Sequence, residues 1–540
     1  MKTKSGHIEK RILKAGIFVS VAHLLFRLAG LIQAKVMGHY LPDETLEVVY
    51  TFAFENCLFM VFLIGEELLA STFLPVFMSE RDKESESSAW VFASTLLTIQ
   101  FIVLLAVTAV FLVAPDFVVK MLTSWRAESS PEKYALAVSS VRTMAPALIG
   151  LSLGSTTYAL LNGHKRFFLA ALGDAAWKFC VIAVLLGGVL LKKDGAQLLI
   201  WGIIAGAACK VLTHLFGLRD KLSNIRPTLA FSHPAMKRLA LLMLPLLLGV
   251  LITKVRDNYN NVQVLSVMEA GLMKANSFGK KLQSTLAFIV PSALSIAVFP
   301  FFCEMVDNQD QRKMGDLVTR FGRMMLAVFA PFALFVAILA VPLTSLIFKG
   351  GHFDDTAVQR TAVSLACYTF VLPAAAIEPL MNKAFFASRR MLSATVIGVV
   401  FSLMSIGISW LGLKAYAHTG DALVLLAFIA GGFTLTRILK CVALVEILKR
   451  KIPVFPFVET TLFLARVIIA AGLAGGAAWL LLRQLATLHI LSGRIGDIAK
   501  LGVCAAAFTG IYFVGAYFLR IREIRELLDL VVAKLRKRKA

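Results

Sequence analysis

Residues 246–258 read LLLGVLITKVRDN, residues 269–281 read EAGLMKANSFGKK, and an apolar stretch from Ser284 to Phe302 follows. Basic residues therefore lie within or beside two stretches that are long enough to cross a bilayer. A charged group at the bilayer centre costs about 2.5–3.5 kcal/mol on insertion scales, so such side chains face a water-filled cavity or a partner. A basic cavity in a membrane chain predicts an anionic substrate. The basic residues of this region are Lys254, Arg256, Lys274, Lys280 and Lys281.

The composition is that of a polytopic membrane protein. The 540 residues are 58% hydrophobic and 16% charged, whereas about 25% of residues in soluble domains are charged. In a membrane chain the net charge of +23 indicates basic loops at an anionic cytoplasmic leaflet, and we expect no nucleic-acid partner. The seven cysteines are scattered without a CxxC pair, so we interpret them as buried apolar residues and not as disulfides or metal ligands.

Apolar stretches of about 20 residues, the length that spans a bilayer, recur along the whole chain. They predict an all-α polytopic fold with about fourteen transmembrane helices. Lys and Arg are concentrated at both ends and in alternate loops, so both termini are predicted to be cytoplasmic. The tail from Arg522 to Lys539 has apolar residues at helical spacing and is predicted to be an interfacial amphipathic helix. The predicted spans lie near residues 12–36, 49–78, 89–115, 135–161, 167–191, 196–217, 237–262, 272–303, 324–348, 361–387, 391–414, 421–447, 459–483 and 498–519.

Two landmarks recur at nearly the same offset and indicate an internal duplication. TFLPVF at 72–77 resembles AVFPFF at 297–302, an offset of 225, and the basic loop pair at 165–166 recurs at 389–390, an offset of 224. Six helices in each copy would leave two additional ones. The predicted regions are an N-terminal lobe (1–226), a C-terminal lobe (227–452), two extra helices (453–520) and a basic tail (521–540). Membrane proteins with parallel repeats are often transporters, with the site between the halves.

The first predicted helix contains two candidate substrate-binding cations. Arg27 lies deep in an apolar run, with Gln33 and Lys35 after it. We expect Arg27 to face a cavity, where its forked guanidinium suits a diphosphate. Lys35 is nearer the helix end, so snorkelling toward the interface is the preferred interpretation for that side chain, with a substrate-binding role as the alternative.

Carboxylates in the spans are candidate counter-charges. Glu55 lies mid-span and is a candidate partner for Arg27 or Lys281. Glu66 and Glu67 follow Gly65. They would either face water or a cation as gate residues, or belong to an exit loop after a helix that ends at Ile64.

The sequence predicts an ion pair for one of two further pairs of nearby charged residues and none for the other. Arg256 and Asp257 are adjacent and should point apart on a helix, so we do not expect them to pair. Asp174 and Lys178 are four residues apart and are expected to neutralise each other.

Motifs of catalysis and metal binding are missing from the sequence. It has no P-loop, no HExxH and no GxSxG, and its nine histidines are dispersed. We therefore predict neither an enzyme nor catalytic residues, metal ligands or a bound cofactor.

Several of these residues resemble the MurJ (MviN) lipid II flippases, a family within the superfamily of multidrug and oligosaccharidyl-lipid exporters. VPLTSLIFKGGHFD at 341–354 is similar to the family's loop after the ninth helix, and KAFFASR at 383–389 resembles its exit from the tenth. Arg27 and Gly30 resemble an R-x-x-G in the first helix, and Lys281 falls where the family has a cavity arginine. The sequence departs from the family at Gln33-Ala34, where relatives usually have an Arg-Asp pair.

The resemblance implies two six-helix lobes arranged as a V around a cationic cavity, with two C-terminal helices forming a groove for a polyprenyl tail. It implies flipping of an undecaprenyl-diphosphate-linked peptidoglycan precursor (lipid II) from the cytoplasmic to the periplasmic leaflet of the bacterial inner membrane, by alternating access. The expected driving force is the membrane potential or a monovalent cation. The expected partners are the glycan lipid, membrane lipids and cell-wall synthesis proteins. The predicted substrate-binding residues are Arg27, Gly30, Gln33, Lys35, Lys254, Arg256 and Lys281, with Glu55, Glu66 and Asp257 as gate or counter-charge residues.

Three other functions remain open from the sequence. One is a flippase for another polyprenyl-linked glycan, such as an O-antigen unit. Another is a drug or cation antiporter of the same superfamily, which would need carboxylates to dominate its cavity. The third is a scaffold without transport activity, recruited through the basic tail, for which charges deep in the spans would be an unnecessary cost.

Overall fold

The computed structural model of the chain is helical throughout the part that it describes. It describes residues 27–164, 166–265, 268–287, 308–388, 390–487 and 493–526, together with 298, 302 and 304–306. The predicted amphipathic tail lies mostly outside these residues. So do Lys165, Arg389 and most of the segment 297–302, which carry the proposed repeat.

The chain divides into two compact units. The first unit contains the described residues up to Ser277, with Gly350–His352, and the second contains Phe278–Lys349 and the described residues from Phe353 onward. The lobe boundary at 226/227 remains a prediction, because a packing unit need not end where a sequence repeat ends.

The first unit contains ten helices among its described residues, and α11 begins in it. The backbone widens to π-helix twice, over Leu46–Leu58 before α3 and over Tyr259–Val264 after α10. A short 3₁₀ turn forms at Leu222–Asn224. The helices are α1 (27–40), α2 (Asp43–Thr45), α3 (Phe59–Lys83), α4 (Glu86–Val113), α5 (Pro115–Leu122), α6 (Pro131–Met144), α7 (Ala147–Gly163), α8 (Phe167–Leu190), α9 (Gly195–Gly217), α10 (Pro234–Asn258) and α11 (Leu272–Ala287).

The second unit continues α11 and adds eight described helices. Side chains of the loops cap several of them: Asp354 accepts from Ala357 N at 2.8 Å, and Asp421 accepts from Leu423 N at 2.8 Å. Such caps satisfy backbone N–H groups that have no partner inside the helix. The helices are α12 (Gln311–Ile338), α13 (Ala340–Phe348), α14 (Asp355–Thr369), α15 (Leu372–Ala387), α16 (Met391–Thr419), α17 (Ala422–Lys449), α18 (Phe457–Thr487) and α19 (Gly493–Phe518).

Nine helices within the described ranges are long and apolar enough to cross a membrane, or up to twelve if each bent pair is one span. The bent pairs are α6 with α7, the two halves of the region 234–264, and α14 with α15. The two remaining predicted spans, 12–36 and 272–303, extend into residues outside the described part. An all-α polytopic architecture is therefore confirmed.

Small residues allow the helices of the first unit to approach closely. A Cβ added to Gly206 of α9 would lie 2.7 Å from the backbone oxygen of Trp177 in α8. Since α8 and α9 form the most extensive helix pair of this unit, a side chain here would push two backbones apart. The close approach matters for the site because it brings charged residues of α8 and α9 within reach of each other.

The last two helices pack against α12 in the second unit. Ala470, Ala474 and Ala478 of α18 form a buried stripe against Phe508 and Tyr512 of α19. The Tyr512 hydroxyl donates to the Ala327 carbonyl oxygen at 2.5 Å. This hydrogen bond satisfies a polar group that would otherwise be buried at a cost.

Candidate functional site

Five charged side chains from four helices of the first unit lie together, and we call them the first-unit cluster: Glu66, Glu67, Asp174, Lys210 and Lys254. The Lys254 ammonium lies 2.6 Å from Glu67 Oε1, and the Lys210 ammonium lies 2.7 Å from Asp174 Oδ1. Glu66 interacts electrostatically with the other four. The cluster therefore has three carboxylates and two lysines inside a membrane-spanning bundle.

The packing of α7, α8 and α9 determines where Lys210 points. A Cβ on Gly154 of α7 would lie 2.6 Å from Lys210 Cε, so the glycine leaves room for the lysine stem. The ammonium lies 4.6 Å from the centroid of the Phe62 ring, a cation–π contact. Its side chain is only 3% exposed, so its charge is compensated within the protein.

Two sequence expectations about ion pairs are wrong. Asp174 pairs with Lys210 of α9 instead of Lys178 in its own helix, because α8 and α9 approach each other so closely. Arg256 bonds to its neighbour Asp257, from Nε at 3.1 Å and from Nη2 at 2.8 Å. Adjacent Cβ atoms do point apart, but the arginine side chain is long enough to fold back along the helix.

Helix α3 continues through Gly65 without a break as far as Lys83. The alternative of an exit loop after Ile64 is therefore wrong, and Glu66 and Glu67 are residues of a helix. Glu66 is partly buried, whereas the side chain of Glu67 keeps 45% of its surface exposed.

Helix α1 contacts α8 at Gly30. A Cβ added to this buried glycine would lie 2.9 Å from Lys178 Nζ, so Gly30 leaves room for the lysine's ammonium end. Arg27 and Lys35 of the same helix are partly buried. Gln33 is fully buried, and among the described residues neither of its amide atoms has a hydrogen-bond partner.

Glu55 belongs to a polar seam between the first π-helical stretch and α11. Ser277 Oγ donates to Glu55 Oε2 at 2.8 Å, and Gly271 N donates to Glu47 Oε1 at 2.6 Å. The fully buried Lys274 forms an ion pair with Asp43. Glu55 is thus held by a described partner, Ser277, that the sequence did not indicate.

A second group of charges, which we call the second-unit cluster, consists of Lys280, Glu378, Arg437 and Lys440 around the ring of Phe433. Arg437 Nε lies 2.6 Å from Glu378 Oε2, and Lys440 Nζ lies 2.8 Å from Oε1. Lys280 Nζ and Arg437 Cζ lie 5.2 and 5.7 Å from the Phe433 ring centroid. Two basic groups thus share one buried carboxylate, and Lys280 lies against the same aromatic ring as Arg437.

Arg437 and Lys440 were not singled out from the sequence. A usable signal was there, because two bases three residues apart fall on one face in the middle of an otherwise apolar helix. The predicted residue Lys281 lies one position after Lys280, partly buried, with its ammonium 6.0 Å from the Phe278 ring centroid.

The structure distributes the predicted residues over both units. Arg27, Gly30, Gln33, Lys35, Lys254 and Arg256 belong to the first unit, as do Glu55, Glu66 and Asp257, whereas Lys281 belongs to the second. Of these, Lys254 and Glu66 lie in the first-unit cluster. Within the described ranges, no group of three or more His, Cys, Asp or Glu side chains is arranged to hold a metal ion.

This chemistry is suited to binding and exchanging ions. Buried lysines and arginines attract phosphate or carboxylate groups, and the carboxylates beside them hold those bases while no such ligand is bound.

The chain is similar to known proteins over most of its length. The family model described as "Lipid II flippase MurJ" matches residues 37–492. The lipid II flippase MurJ of Burkholderia cenocepacia is 22% identical over 382 residues, which cover 70% of this chain and 74% of that protein.

Two solved structures show the same fold. One, a lipid II flippase MurJ in an inward closed conformation, has a TM-score of 0.71 at 16% identity and covers 93% of this chain and 99% of that one. The other, an inward-facing MATE family multidrug resistance transporter of the MOP superfamily, has a TM-score of 0.65 at 12% identity and covers 79% and 95%.

Proposed function

The chain belongs to the lipid II flippase MurJ family, and we propose that it moves lipid II from the cytoplasmic to the periplasmic leaflet of the bacterial inner membrane by alternating access. Lipid II flipping is the function of the family whose model matches 37–492. The nine to twelve apolar spans of the described part make it a multi-pass membrane protein. We propose that both termini are cytoplasmic, in accord with the distribution of Lys and Arg.

The observation that carries the mechanism is the state of Lys254. The side chain is 9% exposed and its ammonium is held by Glu67, whose own side chain is 45% exposed. A diphosphate that reaches Lys254 from water can bind its ammonium by displacing the accessible carboxylate of Glu67. The base is thus compensated while no substrate is bound, and it gains a stronger acceptor when substrate arrives.

The remaining predicted residues have matching roles in this proposal. Arg256, held by Asp257, would exchange partners in the same way. Arg27, Lys35 and Lys281 would contribute positive charge. Gly30 would leave room for a cationic side chain, and Gln33 would offer amide hydrogen bonds. Glu55 would be a further counter-charge.

Glu66 is the group that we propose for coupling. With Glu67 and Asp174 it gives the first-unit cluster one more carboxylate than it has lysines. A monovalent cation or a proton would balance this charge, and its passage would be driven by the membrane potential, which supplies about 2.3 kcal/mol per charge per 100 mV. The protein would then need no bound cofactor and no chemical step. Its partners would be the polyprenyl-linked lipid, the surrounding membrane lipids and cell-wall synthesis proteins.

The direct test is flipping of fluorescent lipid II in liposomes that contain the purified full-length chain. Lys254→Gln should lower the flipping rate about tenfold to a hundredfold, because a hydrogen bond to a charged group contributes about 1.5–3 kcal/mol and 1.4 kcal/mol corresponds to tenfold. The matched control is Lys221→Gln, which removes a lysine paired with Glu86 at 2.8 Å near the start of α4. An unchanged rate for Lys254→Gln would refute this assignment.

Growth tests the same site in cells. Arg27→Ala or Lys281→Ala, expressed in bacteria depleted of their own flippase, should fail to support growth at normal protein levels. Normal growth would remove these residues from the site. Replacing lipid II by an O-antigen-type polyprenyl-linked glycan in the liposome assay separates the two flippase functions, and we expect the rate to be higher for lipid II.

A cation antiporter is the second candidate, and the excess of carboxylates in the first-unit cluster is the observation that favours it. Drug efflux from cells expressing the chain would support the antiporter. The base-rich second-unit cluster argues for an anionic substrate instead.

A further inference from the structure

We propose that the segment between α9 and α10 is a linker that binds the membrane surface. This linker, residues 225–233, reads IRPTLAFSH. Leu229 and Phe231 insert into the cytoplasmic leaflet of the bilayer, and Arg226 binds the phosphate of an anionic phospholipid headgroup. Binding of this kind does not depend on what the protein transports, and none of these residues was among the predicted substrate-binding residues.

The first part of the linker is not helical and is fixed to α4 by two hydroxyl groups. Arg226 N donates to Ser94 Oγ at 3.2 Å, and Thr228 N donates to Thr98 Oγ1 at 3.2 Å. Ser94 and Thr98 are one helical turn apart, so they lie on the same face of α4. Pro227, between the two donors, has no N–H group to satisfy. The hydroxyls thus hold the linker backbone along one face of α4.

The linker lies where α4 enters the bilayer. The 28 residues of α4 are about 42 Å long at 1.5 Å per residue, whereas the hydrocarbon core is about 30 Å thick, or about 20 helical residues. Counting that length back from Val113 places the other boundary near Ser94. Side chains 92–96 are buried by protein, and most side chains of 101–113 are exposed, as expected for a surface that faces lipid. By the distribution of Lys and Arg, the Ser94 end is the cytoplasmic one.

Two large apolar side chains of the linker point away from the protein. Leu229 and Phe231 are 50% and 65% exposed, whereas Thr228 and Ala230 are partly buried. This alternation is typical of an extended segment with one side outward. Because that side adjoins the lipid-facing surface of α4, the acyl chains of the bilayer are its occupant. The non-helical backbone cannot enter the hydrocarbon core while it is exposed, so only the side chains insert and the backbone stays at headgroup level.

The base of the linker is available to a headgroup. The Arg226 side chain is exposed, and among the described residues no carboxylate forms an ion pair with it. Two other bases on this side of the membrane are already paired, Lys221 with Glu86 at 2.8 Å and Arg238 with Glu80. A guanidinium binds phosphate through two parallel hydrogen bonds, and basic side chains beside inserted apolar ones bind anionic lipid surfaces. The partner is therefore an anionic phospholipid.

The experiment detects insertion by photocrosslinking in the full-length chain. Phe231→p-benzoylphenylalanine places a photoreactive ketone on the linker, and the protein is assembled into phosphatidylcholine nanodiscs that contain alkyne-tagged phosphatidylglycerol. Irradiation should attach the tagged lipid to the chain, because the ketone reacts with C–H bonds of adjacent acyl chains. The matched control is the same substitution at Glu84, an exposed residue of the loop between α3 and α4, where several times less lipid should be attached.

The choice of headgroup tests the phosphate contact. With the probe at position 231, tagged phosphatidylglycerol should be attached in preference to tagged phosphatidylcholine. Arg226→Gln should lower this preference about fivefold, as expected when one base is removed from an anionic surface, and high salt should lower it too. The control Lys221→Gln makes the same change of charge at a base that is already paired with Glu86, and it should leave the preference unchanged.

Two results would overturn the proposal. If the probe at position 231 attached no more lipid than the probe at position 84, the linker would lie outside the bilayer and its apolar side chains would be left to a protein partner. If Arg226→Gln kept the full preference for phosphatidylglycerol, the headgroup would be bound elsewhere. Neither measurement involves transport, so a failure of the Lys254 flipping test would leave both results unchanged.

Discussion

The first-unit and second-unit clusters use the same kinds of side chain but differ in the sign that is in excess. The first has Glu66, Glu67 and Asp174 against two lysines, and the second has Glu378 against Lys280, Arg437 and Lys440. A surplus carboxylate can take up a proton, whereas a guanidinium cannot lose one. The first cluster therefore contains groups that can change their protonation state, whereas the guanidinium of the second cluster keeps its charge.

The clusters also differ in how their charges are enclosed. Lys210 and Asp174 are 3% and 13% exposed and pair across the closely packed α8 and α9. Arg437 and Lys440 reach a buried carboxylate from partly exposed positions. The ion pair of the first unit is thus enclosed by helix packing, whereas the bases of the second unit keep part of their surface accessible.

The largest effect on stability is expected for Glu378→Ala, which leaves two bases without their carboxylate. Removing one partner of a buried pair costs about 3–5 kcal/mol, and the partial exposure of Arg437 places this variant near 3 kcal/mol. The free energy of unfolding can be measured by denaturant titration in mixed micelles. Added formate should restore part of the loss, because it fits the place of the missing carboxylate.

Glu446→Ala is the control, since that carboxylate pairs with Lys449 of the same helix and is 59% exposed. Similar decreases in the free energy of unfolding for Glu378→Ala and Glu446→Ala would show that the second-unit cluster contributes no more to stability than an exposed ion pair.

A smaller effect is expected for Lys210→Met in the first-unit cluster, about 2 kcal/mol at neutral pH. Asp174 loses its base, but at 13% exposure it keeps some access to water. The double variant Lys210→Met, Asp174→Leu should recover most of the stability, because an apolar pair can replace a buried ion pair. A double variant that is no more stable than Lys210→Met would contradict this expectation.

The smallest effect is expected for Asp220→Asn, outside the spans. Arg166 bonds Asp220 through two nitrogens, at 2.5 and 2.6 Å, and this lowers the pKa of Asp220 from 3.8 to about 2. A carboxyl group whose pKa is lowered by folding stabilises the fold at pH values above its pKa in the unfolded chain. That stabilisation is lost as the pH falls from about 4 to about 2. The midpoint of unfolding of Asp220→Asn should therefore lie slightly below that of the wild type at neutral pH and coincide with it near pH 2.

This variant sharpens the comparison because Arg166 and Arg437 contact their carboxylates at similar distances, while Asp220 is 48% exposed and Glu378 only 8%. If Asp220→Asn lost as much stability as Glu378→Ala, the geometry of the ion pair, and not its burial, would determine its contribution to the free energy of unfolding.

The sequence predicted the helical architecture well because apolar runs of about 20 residues have few alternatives to crossing a bilayer. It also indicated that Lys254 is buried and must have a partner. It could not identify partners, because these depend on how closely backbones approach, as at Gly206, and on how far a long side chain such as Arg256 folds back. Arg437 was overlooked because the apolar pattern continues on both sides of it.

The two π-helical stretches could not be predicted from the sequence either, because hydrophobic periodicity does not distinguish i→i+5 from i→i+4 hydrogen bonding over a buried segment. The first covers 13 residues, Leu46–Leu58, and is almost entirely buried. A buried segment offers no polar face from which its winding can be inferred.

That widened stretch determines which way the side chains of α3 face. Leu46–Leu58 runs directly into Phe59–Lys83, and successive residues of a helix are about 100° apart around the axis. The extra residue of a wide turn therefore changes the angular position of every α3 side chain after it, including Glu67, which pairs with Lys254. This ion pair thus depends on the winding of a segment that contains neither of its residues.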